Sequence, residues 1–361
     1  MDKYRYIMDI SKKLEFGSAV YQQIMKQLSI IDSFKGNWEI IDLKHSQYLK
    51  ELRQIATIES IGSSTRIEGA TLSNHEVEKL LKSVKIKKLK TREQQEVLGY
   101  YEALQVILEN YKDLPITESY LHQLHSILLK HSHKDQTHKG KYKNLSNQVV
   151  ANYPDGTTQI IFKTTEPHLT PKEMESLLLW LDNRFENSDM HPVMITATFI
   201  YEFLSIHPYQ DGNGRLSRLL TTLILIKQGY EFTQYISFEH IIEERKEEYY
   251  RSLMDGQKNR YNDNEKIDKW ILFFLDCMII LIKRLEKKYE TYKKLEKELN
   301  ERQKEVLSFI KQEKITTIGR ISKAFKNHSR NTLKKDLIYL VNEGLILKTG
   351  QLKGTKYHYG N

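Results

Sequence analysis

The stretch His207-Pro-Tyr-Gln-Asp-Gly-Asn-Gly-Arg-Leu-Ser-Arg218 decides the reading of this chain. Before it, Tyr201-Glu-Phe-Leu-Ser-Ile206 has the apolar density of a buried helix, and Pro208 prevents that helix from continuing. Asp211-Gly-Asn-Gly214 is a turn with two glycines, and from Arg215 to about Gly229 the apolar residues recur at helical spacing. A glycine-bearing loop that opens a helix leaves backbone N–H groups unpaired and pointing one way. With the positive end of the helix dipole, that is an anion site. Glycine suits it because a side chain would obstruct a close-approaching phosphate.

Arg215 and Arg218 stand three residues apart and share a helix face, so two guanidinium forks border the cradle. Cations are unfavourable at a helix N-terminus, and such local violations gather at functional sites. His207 sits at the rim, with an ordinary pKa of about 6.5 that suits a proton acceptor. Asp211 offers a hard carboxylate suited to magnesium between phosphates. A base, a metal ligand, a cradle and two clamps are the parts for moving a phosphate-linked group onto a hydroxyl. Alone, Asp-Gly-Asn-Gly is more often an ordinary turn; the full twelve-residue string is not.

Outward from the loop, only six prolines occur in 361 residues, and long stretches show helical spacing, so the chain reads as mainly α. Residues 1–95 look helical, with Gly69 ending one helix and Ser73-Asn-His-Glu76 forming a capping box for the next. Lys85 to Lys90 reads as a solvated connection. Further helices are expected at 93–112, 117–131, 171–186, 191–206, 239–258 and 264–300. The extended runs Val149-Val-Ala151 and Thr158-Gln-Ile-Ile-Phe162 flank Pro154-Asp-Gly156 and read as a β-hairpin. Beyond residue 300 the helical patterns are short, at 301–311, 317–325 and 329–342. Gly344 ends the last, and Leu345 to Lys348 and Lys356 to Tyr359 flank a Gly-bearing turn. That is the outline of a winged helix-turn-helix.

Hydrophobic residues make up 39% and charged residues 29%, which permits a packed core and argues against wholesale disorder. A single cysteine, Cys277, excludes a disulfide framework and a cysteine metal site, and its apolar surroundings read as core. No apolar run suggests a signal segment or membrane span, so a cytoplasmic chain with no membrane partner is expected. Residues 301–361 hold thirteen Lys and Arg against five Asp and Glu, a net of +8 out of the chain's +9. A basic C-terminal module suggests an acidic partner.

The segment 207–218 resembles the Fic-family signature, His-Pro-aromatic-x-Asp-Gly-Asn-Gly-Arg-x-x-Arg, at every fixed position. The resemblance implies a Fic helical core over 95–285, a preceding helical region over 1–94, a connecting helix at 286–300 and the winged module over 301–361. It implies that a Ser, Thr or Tyr hydroxyl of a target protein, or of this chain itself, is activated by His207. That hydroxyl would attack the α-phosphate of ATP. Asp211 would hold Mg²⁺, and Gly212, Asn213, Gly214, Arg215, Leu216, Ser217 and Arg218 would form the nucleotide-binding run. Both glycines and the second arginine are present, which favours adenylyl transfer over the family's kinase-like branch.

Ser64-Thr-Arg-Ile-Glu-Gly69 resembles the family's inhibitory motif. It implies that Glu68 pairs bidentately with Arg218 in the space of the γ-phosphate, with Ser64 supporting it. Locally, Thr65 and Glu68 also read as a capping box. The hairpin resembles the family's flap, with Val149, Val150 and Ala151 toward the nucleotide. Gly140-Lys-Tyr-Lys143 departs there from the usual Gly-x-x-Arg. Tyr249 and Tyr250 fall where the family often has a tyrosine pair near adenine, and Gln257 stands where relatives often carry Asn. Helix-face packing is an equal alternative for Tyr250 and Gln257. Two further functions remain open: a nucleotide-sensing, DNA-binding regulator acting through 301–361, and removal of AMP from modified proteins. The oligomeric state, homodimer included, is also open.

Overall fold

The computed structural model describes residues 10–44, 46–83, 89–152, 158–262, 264–343, 345–350 and 354–359. The chain gathers into two compact units: residues to Glu39 with Ile55–Ile282, and Ile40–Gln54 with the residues from Lys283 onward.

The first unit is built on helices. The short α1 (Ile10–Lys13) leads to the long α2 (Ser18–Lys44) and α3 (Ser46–Ile67), parts of which belong to the second unit. Gly69 follows α3 with φ of +102°, a backbone that glycine adopts without strain, and the helix ends where expected. Then comes α4 (Asn74–Ser83), opened by Ser73 and Glu76. The Glu76 amide donates to Ser73 Oγ at 3.3 Å and the Ser73 amide donates to Glu76 Oε2 at 2.9 Å, so the capping box is reciprocal. The Lys85–Lys88 part of the expected connection lies outside the described residues.

Two threonine-capped helices follow, α5 (Arg92–Asn110) and α6 (Glu118–Leu128). The strands β1 (Gln148–Asn152) and β2 (Thr158–Lys163) pair antiparallel, with an irregularity between Val149 and Val150. The turn residues Pro154, Asp155 and Gly156 lie outside the described residues. Next are α7 (Thr170–Asn187), α8 (Pro192–Ile206) and α9 (Asn213–Lys227). Every residue of α8 from Val193 to Ile206 is buried, so this helix is the axis of the unit. Helix α9 begins two residues earlier than its apolar periodicity suggests, because Gly212 supplies the left-handed turn at the N-cap with φ of +82°.

The pattern at 239–258 is two helices, α10 (Phe238–Glu244) and α11 (Lys246–Gln257), rather than one. The break is at Arg245, whose φ of −112° and ψ of 31° interrupt the helical backbone. The unit closes with the first part of α12 (Asp268–Glu298). Cys277 is fully buried there, and burial pushes its thiol up to about 12. That agrees with a core role.

In the second unit, α13 (Glu301–Glu313), α14 (Ile318–Ala324) and α15 (Arg330–Asn342) surround a core that includes Val306, Ile310, Ile321, Leu333, Leu337 and Leu340. Three short strands, β3 (Ile315–Thr316), β4 (Leu347–Thr349) and β5 (Lys356–His358), form an antiparallel sheet in the order β3-β5-β4. Gly344 lies outside the described residues. No helix among the described residues is long and apolar enough to cross a membrane.

Candidate active site

Helix α8 stops at His207, which takes a left-handed backbone with φ of +53°. A non-glycine residue held there is strained, and such strain concentrates at functional positions. Pro208 then carries the chain away from the helix axis. Asn213 closes the loop upon itself: its amide accepts from the Tyr209 N–H at 2.9 Å and donates to the Tyr209 carbonyl at 2.7 Å. Asn213 is therefore a brace that fixes where α9 begins.

His207 Nδ1 lies 3.3 Å from the Leu204 carbonyl. A carbonyl only accepts, so Nδ1 carries the proton and Nε2 keeps its lone pair. Burial, then the positive charge of Lys143, lowers the imidazole pKa to about 4. A neutral ring with a bare Nε2 is the form that can take a proton.

Asp211 is surrounded by cations. Lys134 Nζ lies 3.1 Å away, Arg215 Nη2 3.2 Å and Arg92 Nη2 3.4 Å. Burial disfavours the charged carboxylate, but Arg215 and Lys134 outweigh it and hold the pKa at about 2. No cluster of three or more His, Cys, Asp or Glu residues suited to a metal occurs among the described residues. One carboxylate beside a phosphate cradle still fits magnesium, which keeps several waters and takes phosphate oxygens as further ligands.

Arg215 and Arg218 are each only 2% exposed. Arg215 Nε and Nη1 and Arg218 Nη1 are buried donors with no hydrogen-bond acceptor. Guanidinium groups left short of acceptors at a helix N-terminus make a site that an anion completes.

Glu68 reaches this place from α3. Arg218 Nη2 donates to Glu68 Oε1 at 2.8 Å and to the Ser64 carbonyl at 2.9 Å, and Arg218 Nε donates to Ser64 Oγ at 2.8 Å. The pair is single-pointed rather than bidentate: Ser64 takes the Nε–Nη2 edge of the fork, Glu68 shares Nη2, and Nη1 has no acceptor. Partial burial works against ionisation of Glu68, yet Arg218, Arg215 and His207 together hold its carboxyl below the ordinary range. The carboxylate also lies over Gly214: a Cβ there would come within 2.3 Å of Glu68 Oε1. Thr65 is not a helix cap. It lies inside α3, where its hydroxyl donates to the Ile61 and Gly62 carbonyls.

A cavity of about 140 Å³ opens between these groups. Its walls include Glu68, His207, Asp211, Gly212, Asn213 and Gly214, and Tyr249, Tyr250 and Gln257 form another side. Tyr249 and Tyr250 meet edge to face at 5.2 Å. Gln257 is 4% exposed; its Nε2 donates to Ser205 Oγ at 3.0 Å, while its Oε1 has no donor. A buried acceptor without a partner in a cavity wall invites a ligand N–H.

Other sequence candidates lie elsewhere. Leu216 is fully buried core, and Ser217 donates to the Gly214 carbonyl within its own helix, so neither side chain lines the cavity. Val149, Val150 and Ala151 lie in β1, where only the strand pairing is described.

Of three further contributors, Phe162 and His125 have no local signature in the sequence, and Lys143 stands where the family usually carries Arg. Phe162, at the end of β2, lines the cavity. Lys143 is 3% exposed and its ammonium donates to Asn147, Thr164 and the Ile206 carbonyl. It thereby ties both feet of the hairpin to the residue before His207, and burial lowers its pKa to about 8. His125, from α6, holds the Asp211 carbonyl at 2.9 Å. Gly140, which opens Gly140-Lys-Tyr-Lys143, has φ of +70°.

Residues 115–225 match the Fic/DOC family. A protein adenylyltransferase Fic of Culex quinquefasciatus is 30% identical over 190 residues, covering 50% of this chain and 34% of that protein. One of Drosophila persimilis is 27% identical over 207 residues, covering 57% of this chain and 38% of that protein. The chain thus spans little more than a third of the length of these curated relatives. Among solved structures, a Fic family protein from Desulfovibrio desulfuricans G20 superposes with a TM-score of 0.62 at 21% identity, covering 96% of this chain and 97% of that one. Fic-1 of C. elegans superposes with a TM-score of 0.61 at 21% identity, covering 76% of this chain and 75% of that one. At these identities the likeness shows the fold. The matched residues 115–225 include the loop 207–218.

Proposed function

We propose that this chain transfers AMP from ATP to a hydroxyl side chain of a protein, and that its own Glu68 holds the reaction off at rest. The observation that carries the reading is the Glu68 carboxylate seated on Arg218 and over Gly214, at the mouth of an otherwise donor-rich anion site.

His207 Nε2 takes the proton of the acceptor hydroxyl. The hydroxyl oxygen forms a bond to the α-phosphorus, and the bond between that phosphorus and the oxygen bridging to the β-phosphate breaks. Pyrophosphate leaves with the electron pair. Asp211 would hold Mg²⁺, which supplies charge neutralisation for the phosphates. The N–H groups opening α9 and the Arg215 guanidinium receive the phosphate oxygens, and Arg218 receives the outermost phosphate once Glu68 withdraws. Tyr250 and Gln257 accept the base, the latter through its free Oε1. The hairpin aligns a segment of the target as an added strand.

Radiolabelled ATP tests the reading. Protein-bound label should appear with Glu68→Gly and vanish when His207→Ala is added. Silence of the Glu68→Gly variant toward itself and toward a lysate would refute it.

A second activity is favoured by the surface of α15. Arg330, Asn331, Lys334 and Lys335 are exposed, while Leu333, Leu337 and Leu340 turn into the core. We propose that residues 301–361 form a winged helix-turn-helix that lays α15 against duplex DNA. Affinity that falls steeply with salt, with a shallower slope for Lys334→Ala, supports this. Salt-independent or undetectable binding removes it.

A further inference from the structure

His125 is fully buried, near the C-terminal end of α6. Both ring nitrogens engage backbone. The Gly140 N–H donates to His125 Nδ1 at 2.8 Å, and His125 Nε2 lies 2.9 Å from the Asp211 carbonyl. An N–H needs a lone pair and a carbonyl needs a donor, so the tautomer follows from geometry: Nδ1 is bare and Nε2 carries the proton. The ring also stacks on Tyr209, with centroids 3.9 Å apart and planes 18° apart. It packs beneath Gly212, where a Cβ would stand 3.4 Å from Nε2.

The peptide group joining Asp211 to Gly212 is planar and trans, so its C=O and N–H point in opposite directions. Holding the carbonyl on the His125 side turns the Gly212 N–H to the other side. There it donates to Asp211 Oδ1, beside the cavity that Asp211, Gly212 and Gly214 line. The partner on the far side is equally fixed. Gly140 has φ of +70°, and a Cβ on it would lie 2.1 Å from Ser126 Oγ. The imidazole is thus held between the Gly140 turn and the loop 207–218.

We propose that His125 is a positioning residue for nucleotide binding: by pinning the Asp211 carbonyl, it presents the Gly212 N–H to the phosphates. The proposal rests on the adenylyl-transfer reading for the identity of the ligand. The arrangement of the peptide stands without it. Phosphate is favoured by donors already oriented before it arrives, since no reorganisation is then needed on binding.

Two measurements test it. In the full-length chain with ¹⁵N-labelled histidine, the His125 signals at neutral pH should show a protonated Nε2 and a bare Nδ1. The reverse tautomer would overturn the proposal without any nucleotide being added. The second uses variants in the Glu68→Gly background. His125→Gln carries an amide N–H that reaches the Nε2 position, His125→Asn carries its amide near Nδ1 and falls short of the Asp211 carbonyl, and His125→Phe keeps the stacked ring alone. Calorimetry with MgATP should place the glutamine variant within a few-fold of its parent. The asparagine and phenylalanine variants should bind roughly tenfold more weakly, the worth of about one oriented donor. Equal affinity for all three, with melting temperatures close to the parent's, would reduce His125 to packing. A parent that binds MgATP but transfers nothing would sink the transferase reading and leave this comparison intact; one that binds none would sink both.

Discussion

Arg218 is bound by Glu68 through one carboxylate oxygen, Nη2 to Oε1 at 2.8 Å, while Ser64 satisfies Nε through its hydroxyl and shares Nη2 through its carbonyl. The resting contact is therefore divided between a charge at the end of α3 and two neutral groups one turn earlier. Only the first lies over the cradle at Gly214. The two parts have separable consequences.

Removing the charge should act far more strongly than removing the hydroxyl. A hydrogen bond to a charged partner contributes about 1.5–3 kcal/mol, so Glu68→Gly should raise the rate of AMP transfer roughly 10- to 100-fold. Ser64→Ala leaves the carboxylate over Gly214 and should raise it less than about fivefold. Initial rates with labelled ATP measure both. Equal activation by the two variants would mean that helix docking, not the carboxylate, limits the proposed transfer.

A second fastening of the same helix lies outside the cavity. Arg66 Nη2 donates to Glu243 Oε2 at 2.9 Å, its Nε also meets Glu243, and its Nη1 donates to the Leu72 carbonyl at 2.9 Å. Glu243 belongs to α10, so the end of α3 is clamped to the domain by a pair that touches no cavity wall. Glu243→Gln should weaken that clamp by about 1 kcal/mol and raise basal transfer roughly fivefold. In a Glu68→Gly background the same change should have no effect. Additive activation there would show that Glu243 acts elsewhere than on the docking of α3.

How far these relations were legible in the sequence depends on their range. Gly69, Ser73 and Pro208 punctuate the chain locally, and the helices begin and end beside them. The string 207–218 carries its own turn, so the order of base, carboxylate and glycines could be read directly. Arg66 and Glu243 are 177 residues apart and His125 and Asp211 are 86 apart, and no periodicity links such pairs. Local rules also mislead when a distant partner wins. Thr65 and Glu68 have capping-box spacing, but Arg218 recruits the glutamate and Thr65 stays within its helix. The break at Arg245 was equally hidden, because apolar spacing continues across it. There the guanidinium meets Glu248 and lies 4.8 Å from the Phe273 ring, so side-chain contacts accompany the interruption.

The pH dependence follows from His207. Its pKa in the fold is about 4 against an ordinary 6.5, so between those values the unfolded chain binds more protons than the folded one. This residue therefore favours folding fully above pH 6.5 and progressively less as pH falls toward 4. The proposed transfer needs the neutral ring, so the acid limb of kcat/KM in the Glu68→Gly variant should lie below pH 6. Burial is the larger cause and Lys143 the next. Lys143→Gln removes the charge that opposes protonation, and the limb should move to higher pH. A limb unmoved by that change would assign the shift to burial alone.

The last prediction separates release of Glu68 from access of phosphate. Alanine at position 214 would bring a Cβ within 2.3 Å of Glu68 Oε1 and 3.3 Å of Arg218 Nη1. Glu68 is the tip of a flexible side chain and can swing aside, so the Gly214→Ala protein should fold, destabilised by no more than about 1 kcal/mol. If inhibition were only the pairing of two charges, this variant would be active, because the methyl group displaces the carboxylate from Arg218. The methyl group nevertheless occupies the space above the first turn of α9, which a phosphate must approach closely. Gly214→Ala should therefore remain as silent as the wild type. In the Glu68→Gly background it should weaken MgATP binding at least about tenfold by calorimetry, a loss of roughly 1.4 kcal/mol. Activation by Gly214→Ala alone would place the phosphates away from this glycine, and the steric part of the inhibition would then have to be assigned to another contact of Glu68.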